Sequence, residues 1–92
     1  MALAVVTIKV MPESPKIDLK KLEQKVKIVI TDFAGEGETR TEIEPVAFGL
    51  KALKIIFVMD EKIGSPDPVA EKVSEFKEVA SAEISDVRRA IG

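Results

Sequence analysis

The chain has 92 residues, 46% apolar and 33% charged, and its 14 basic residues are balanced by 16 acidic ones, a composition that excludes a disordered chain or a basic nucleic-acid-binding arm. It contains neither cysteine nor histidine, which excludes disulfides and thiol chemistry and removes the usual general base and the commonest metal ligand. The longest uncharged run, Met1 to Ile8, is too short to span a bilayer and lacks the features of a signal peptide, so we expect a cytoplasmic protein with no membrane association.

Apolar periodicity predicts a strand and then a helix in the first part of the chain. Ala4 to Val10 alternates with period two, and Pro12 and Pro15 end this strand in a loop. Asp18 is a good N-cap for the helix, whose apolar stripe continues through the β-branched segment Lys27 to Thr31 and so favours helix there. The stripe consists of Leu19, Leu22, Val26, Ile30 and Phe33.

Two further strands are predicted around a tight connection. Thr39 to Val46 alternates between polar and apolar residues, whereas Leu50 to Met59 is apolar on both faces, which favours a central position in a sheet. The connection places Phe48 beside Gly49. A phenylalanine there either folds back as a core plug or stands out as an anchor for a partner, and the residues alone leave both interpretations open.

The last part of the chain predicts a helix and a short final strand. Asp60 to Pro68 has the residue types typical of a turn, and Ser65 or Asp67 is expected to cap the helix that follows. Its buried stripe would be Val69, Val73 and Phe76. Ala80 to Val87 is expected to be the strand, and Arg88 to Gly92 a tail in which two adjacent arginines leave the sheet. A frayed polar terminus and a guanidinium probe for phosphate or carboxylate both fit this tail.

This order of elements predicts an α+β fold. Strand, helix, strand, strand, helix, strand is the ferredoxin-like βαββαβ sandwich, with a four-stranded antiparallel sheet of order 4-1-3-2 and both helices on one face. We expect one domain spanning residues 1–92. Because this fold hosts many functions, it settles none of them. One candidate is a ligand-binding or regulatory module that dimerises through its open sheet face, where Ile56 and Val58 would lie.

No residue constellation indicates an enzyme, a cofactor or direct nucleic-acid binding. Glu42 and Glu44 share one face of an expected edge strand, where exposed carboxylates would titrate alike and protect the edge. Gly35 to Gly37 is flanked by acidic residues, which would repel phosphate. The first strand carries no aromatic residue on which a base could stack.

Three segments resemble the archaeal elongation factor 1-beta family. They are VVTIKVMPESP at Val5 to Pro15, EPVAFGLKALKI at Glu44 to Ile55, and ISDVRRAIG at the end of the chain. The similarity runs over essentially the whole chain and extends to the exchange domain of the larger eukaryotic counterpart. It implies a ferredoxin-like guanine-nucleotide exchange factor for elongation factor 1-alpha, the GTPase that delivers aminoacyl-tRNA. The resemblance implies binding to the GDP-bound and nucleotide-free GTPase by a monomer or weak oligomer.

The resemblance also implies where the partner is contacted. The family's hairpin phenylalanine falls on Phe48, and the C-terminal end of family members reaches the magnesium and phosphate region of the GTPase. Eukaryotic members insert a lysine there, whereas this chain has no lysine after Lys77, so its nearby cations are arginines. The expected partner-contact residues are Phe48, Gly49, Leu50, Lys51, Asp86, Arg88, Arg89, Ala90 and Ile91.

Overall fold

The computed structural model describes residues 2–90, and these form a four-stranded antiparallel sheet with two helices. The elements are β1 (Leu3–Pro12), α1 (Leu19–Ala34), β2 (Thr39–Pro45), β3 (Lys51–Asp60), α2 (Asp67–Ser74) and β4 (Val79–Ala90). The strands lie in the order β2-β3-β1-β4, which is the predicted order 4-1-3-2 counted from the other edge. The α+β ferredoxin-like prediction is confirmed.

The core lies between the helices and one face of the sheet. Every second residue of β1 is buried, because alternate side chains of a strand point to opposite faces. The helices contribute Leu22, Val26 and Ile30 from α1 and Val69 and Val73 from α2. The predicted stripes therefore meet the apolar face of the sheet, with Phe76 only partly buried.

Local capping explains where α1 begins and ends. Asp18 Oδ1 accepts hydrogen bonds from the backbone N–H groups of Lys20 at 3.0 Å and Lys21 at 3.3 Å, which satisfies two donors that the first turn leaves unpaired. At the other end Gly35 adopts φ 84° and donates its N–H to the carbonyl of Thr31. The predicted N-cap and the helical assignment of the β-branched segment are confirmed.

The start of α2 differs from the prediction. Pro66, rather than Ser65 or Asp67, occupies the N-cap position, and it makes no side-chain capping bond. Ser65 Oγ nevertheless accepts the N–H of Asp67, the first residue of α2, at 3.2 Å. The proline at position 66 explains the shift, because its fixed φ already suits the start of a helix. A short 3₁₀ helix, Glu61–Ile63, precedes this turn and was not predicted.

The final strand is longer than predicted, and this corrects the expected tail. β4 continues to Ala90, so Arg88 pairs with Val5 and Arg89 pairs with Ala4 instead of leaving the sheet. The register shifts by one residue opposite Thr7 and Ile8 of β1. That bulge changes which side chains of β4 face the helices, and it lets both arginines remain in an edge strand.

The second face of the sheet is uncovered and is divided into two halves. The register places Glu42, Lys54, Lys9 and Glu83 in one row across all four strands. Lys54, a member of that row, has its Nζ 2.6 Å from a carboxylate oxygen of Glu44. This contact lowers the pKa of Glu44 and raises the pKa of Lys54. The opposite half carries a second row, Val58, Val5 and Arg88.

One polar contact joins α1 to the edge strand β2. Thr41 Oγ1 donates a hydrogen bond to a carboxylate oxygen of Glu23, and Lys27 Nζ lies 3.1 Å from the same carboxylate. The hydrogen bond from Thr41, and then the bond from Lys27, lower the pKa of Glu23 below its ordinary value of 4.5. The contact ties α1 to the β2 edge of the sheet, which the helices cover least, since β2 contributes no buried residue.

We expect Glu23→Gln to flatten the pH dependence of stability in acid. A lowered folded-state pKa means that the unfolded chain takes up its proton first, so the stabilisation is complete above the ordinary value of 4.5 and is lost as pH falls through the folded value. Urea midpoints measured from about pH 6 down to about pH 3 should fall more steeply for the wild type than for Glu23→Gln. Glu36→Gln, in the exposed α1–β2 connection, is the matched control and should follow the wild type. Parallel wild-type and Glu23→Gln curves would contradict this role.

Candidate functional site

The connection between β2 and β3 is a tight turn with an unusual occupant. Leu50 donates its N–H to the carbonyl of Ala47 at 3.1 Å, and Val46 donates to the carbonyl of Leu50 at 2.8 Å. The two central residues, Phe48 and Gly49, both have positive φ, at 60° and 77°. This is the signature of a type I′ turn, whose twist matches the two strands it joins. Type I′ turns favour Asn, Asp or Gly at both central positions.

Phe48 is therefore the structural outlier of the described chain. It is the one non-glycine residue with positive φ among residues 2–90, and its side chain is 95% exposed. A bulky residue in this region carries roughly 1–3 kcal/mol of backbone strain. The ring offsets none of that strain by burial, so the core-plug interpretation is wrong: the ring is exposed, and its role as an anchor for a partner stays a prediction. Strain combined with exposure is the kind of outlier from which a contact role can be proposed.

Gly49 makes the turn possible through its backbone. No atom would lie within 4 Å of a Cβ at this position, so space does not exclude a side chain there. The positive φ does, because only glycine adopts it without cost. Leu50 is partly buried and Lys51 is exposed at the start of β3. The hairpin residues expected at the site therefore sit at the end of the paired strands β2 and β3, with Phe48 at the tip.

A shallow cavity of about 360 Å³ lies beside the hairpin. Gly49 and Lys51 line one side, and the end of β1 with the loop after it, at Pro12, Ser14 and Pro15, lines the other. The two segments VVTIKVMPESP and EPVAFGLKALKI are separated in sequence, yet their loops form one end of the molecule. We name this end, comprising residues 12–15 and 47–51, the hairpin end.

The remaining expected contact residues lie at the end of β4. Arg88 and Arg89 are adjacent, so a strand sends their side chains to opposite faces of the sheet. Arg88 Nε donates to Asp86 Oδ2 at 2.9 Å on the uncovered face. Arg89 donates from Nε and a terminal nitrogen to Glu61 at 2.8 and 3.1 Å, a two-point contact that raises the pKa of Arg89. Of the two residues that follow, Ala90 ends the strand and Ile91 lies outside the described residues.

The structure thus divides the expected site into two clusters at opposite ends of the sheet. β3 runs from Lys51 at the hairpin end to Asp60, which pairs with Leu3, and Leu3 in turn pairs with Ala90. Ten residues at about 3.3 Å each separate the clusters by roughly 30 Å. The domain is correspondingly elongated, at 42 × 21 × 18 Å. A single partner pocket would not accommodate both clusters.

One residue of the second cluster, Glu61, is not identified by any sequence pattern. Glu61 lies in a segment that indicates only a turn, and it is brought to Arg89 by the pairing of β3 and β4 with β1. Register between strands distant in sequence is not visible in local periodicity. Only the three-dimensional pairing identifies this contact.

Neither cluster resembles a metal centre. Within residues 2–90 no group of three carboxylate, histidine or cysteine side chains is arranged to hold a metal ion. Across the same residues no helix has both the length and the apolar character needed to cross a membrane. The arrangement at both ends can make contacts with another macromolecule, through one aromatic ring at the hairpin end and through guanidinium groups at the other.

Comparisons with known proteins identify a family and relatives that cover most of this chain. Residues 5–90 match the family described as EF-1 guanine nucleotide exchange domain. A protein from Methanosphaera stadtmanae named elongation factor 1-beta is 43% identical over 82 residues, covering 89% of this chain and 90% of the relative. A protein of the same name from Pyrococcus abyssi is 47% identical over 83 residues, covering 89% of each chain.

A solved structure supports the fold independently of sequence. The protein described as BlrP1 BLUF superposes with a TM-score of 0.58 at 7% sequence identity, covering 100% of this chain and 57% of that chain. Identity this low concerns the fold alone. The two chains therefore share an overall fold, and the likeness carries no information about the residues at the two ends.

Proposed function

The chain belongs to the EF-1 guanine nucleotide exchange domain family, and on this premise we propose how its two ends act on a GTPase. The protein is a guanine-nucleotide exchange factor that promotes GDP release and GTP loading on elongation factor 1-alpha in translation elongation. Residues 1–92 act as one exchange domain, and the complex forms in the cytoplasm, where translation takes place.

The factor accelerates release without forming a covalent bond. GDP is held by loop amides, by a P-loop lysine and by a magnesium ion that bridges phosphate oxygens. A protein that binds the opened, nucleotide-free GTPase more tightly than the GDP-bound form lowers the free energy of the opened state by that difference. A thousandfold acceleration requires roughly 4 kcal/mol of such differential binding. GTP then refills the site and displaces the factor.

The exposed and strained Phe48 is the single observation that carries the placement of the interface. A ring that is 95% exposed at φ 60° has no role in the core, and burying it in a partner would contribute about 1.5–3 kcal/mol. Phe48 therefore acts as the aromatic anchor of the hairpin end, with Gly49, Leu50 and Lys51 shaping the turn beneath it. The second cluster, with Asp86, Arg88, Arg89, Ala90 and Ile91, places the end of β4 against the phosphate and magnesium region.

The two clusters together support a two-point complex. Because they lie roughly 30 Å apart, the hairpin end holds the GTPase at a place remote from its nucleotide while the end of β4 disturbs the nucleotide site. Anchoring at one point raises the effective concentration of the other. A one-to-one complex is sufficient for this, and the row of charges Glu42, Lys54, Lys9 and Glu83 on the open sheet face does not favour an apolar dimer through that face.

We expect added protein to speed the release of fluorescent GDP from purified elongation factor 1-alpha by roughly 100- to 1,000-fold at saturation, or about 3–4 kcal/mol. By reciprocity, the factor should bind the nucleotide-free GTPase more tightly than the GDP-bound form by the same ratio by which it weakens GDP. Titrations with and without saturating GDP measure that ratio. Equal affinity for the two forms, with unchanged release at micromolar protein, would overturn the mechanism.

A further inference from the structure

We propose that the adjacent arginines Arg88 and Arg89 have different roles in exchange, and that Glu61 is a positioning residue for the end of β4. Arg89 is held by Glu61 and fixes where the strand ends, whereas Arg88 is the cation presented to phosphate or carboxylate oxygens of the partner. This division rests on the proposed exchange function and on the proposed placement of its second contact at the end of β4.

The Arg89–Glu61 contact joins strands that are not neighbours. Arg89 belongs to β4 and Glu61 follows β3, and β1 lies between these two strands. The guanidinium donates to both carboxylate oxygens, at 2.8 and 3.1 Å, which fixes its orientation as well as its position. Arg89 pairs across the sheet with Ala4, whose small side chain leaves room for an arginine to pass over β1. The contact therefore bridges three strands.

Glu61 also holds the start of β1. Its backbone N–H donates to the carbonyl of Ala2 at 3.0 Å, and the neighbouring Asp60 pairs with Leu3. One residue thus connects the beginning of β1, the end of β3 and the end of β4. The final residues of an edge strand fray readily, because they have a neighbour on one side only. The side-chain contact from Glu61 supplies a constraint at the last pairs of β4.

Arg88 is held much less firmly. Its partner, Asp86, lies two residues earlier on the same strand and face, so their contact does not fix β4 relative to another element. Among the described residues only its Nε has a hydrogen-bond acceptor. Exposure does not separate the two arginines, whose side chains are 80% and 73% exposed, so the difference lies in their partners. Arg88 stands in the row with Val5 and Val58 on the uncovered face. A guanidinium with free terminal nitrogens beside a small apolar patch is suited to a phosphate or carboxylate group on a protein surface.

The two roles predict different mutant behaviour. Removing either partner of the Glu61–Arg89 contact releases the same strand end, so the second removal should add little to the first. We expect Glu61→Gln and Arg89→Gln each to lower the maximal GDP-release rate roughly fivefold, and the double variant to lower it by the same factor instead of roughly 25-fold. The exchanged pair, Glu61→Arg with Arg89→Glu, should recover at least half of the wild-type rate. Arg88→Gln should slow GDP release while the Glu61–Arg89 contact stays intact.

Global stability and local order are measured on the same variants. Amide hydrogen exchange should increase at the end of β4 in Glu61→Gln but not in Arg88→Gln. Glu78→Gln is the matched control, because it breaks the ion pair with Lys25 between α1 and the start of β4 and leaves the Arg89 contact untouched. Its GDP-release rate should equal that of the wild type, and its urea midpoint should match that of Glu61→Gln.

Two kinds of failure are distinguishable. If the wild-type protein does not accelerate GDP release, the proposed function fails, whatever the variants do. If the wild type is active but the Glu61 and Arg89 effects multiply, are absent, or are not recovered by the exchanged pair, the positioning role is wrong. If Arg88→Gln releases GDP as fast as the wild type, Arg88 is not the presented cation.

Discussion

Phe48→Ala is expected to weaken binding to elongation factor 1-alpha by about 2 kcal/mol, roughly 30-fold in affinity, without lowering the stability of the domain. The ring is 95% exposed in the free protein, so its removal takes no contact from the core. In the complex the same removal would leave a pocket on the GTPase unfilled. Aromatic residues that enter such pockets dominate the binding energy of protein interfaces. The dissociation constant and the GDP-release rate at subsaturating protein both report the loss.

Backbone strain provides a second and independent signature at this position. Phe48 has φ 60°, which alanine also adopts only at a cost but which glycine adopts freely. Phe48→Gly should therefore bind as weakly as Phe48→Ala. Its free energy of unfolding should be higher than that of Phe48→Ala by up to about 1 kcal/mol, which urea unfolding measures. Opposite changes in binding and stability would indicate that the chain retains the phenylalanine for contact and not for folding.

The matched control is an exposed apolar residue away from both clusters. Ile28 on α1 is 63% exposed, and Ile28→Ala likewise truncates an exposed apolar side chain. It should change neither affinity nor GDP release. If Phe48→Ala binds as tightly as the wild type, or if its loss of activity follows a loss of folded protein, the hairpin end is not the anchor.

Periodicity predicted the fold well because both helices and three strands bury one face. The three- and four-residue steps of α1 and the two-residue steps of β1 leave an apolar face in each element, and the order of elements then restricts the topology. The apolar character of β3 on both faces correctly indicated a central strand. None of this required knowledge of a contact between distant residues.

The end of β4 was missed because a bulge interrupts its alternation. Counting by two from Ile84 would put Asp86 and Arg88 on the helix-covered face, so the two-residue period gives no support for continuing the predicted strand beyond Val87. In the structure the register shift moves Val87 and Arg89 to that face and the two charged residues to the open face. A single extra residue in the strand is invisible to a two-residue period.

The position of Phe48 was ambiguous for a different reason. A phenylalanine beside a glycine fits a buried plug and an exposed tip equally well, and the difference depends on a backbone angle. The hydrogen bond from Leu50 to Ala47 closes the turn with both central residues at positive φ, which directs the ring away from the sheet. Turn type is set by the twist of the paired strands, which sequence patterns describe poorly.

Phe57 is buried where Phe48 is exposed, and its replacement by alanine is expected to cause the largest loss of stability. It lies in the middle of β3, is 1% exposed, and pairs with Val6 of β1 and Thr39 of β2. Phe57→Ala removes the largest fully buried side chain and leaves a cavity that rigid neighbouring strands fill only in part. The expected loss is about 3–5 kcal/mol.

That loss is large for a domain of this size. Small domains are stable by about 5–15 kcal/mol in total, so Phe57→Ala should unfold at much lower urea, with a visible unfolded population near physiological temperature. Phe57→Leu keeps most of the apolar volume and should lose clearly less. Urea unfolding followed by circular dichroism measures both. A loss below about 1 kcal/mol for the alanine variant would contradict the packing described for the core.

Because Phe57→Leu leaves the hairpin end and the end of β4 in place, its folded fraction should retain wild-type GDP release. That result would separate the residues that hold the sandwich together from those that act on the GTPase.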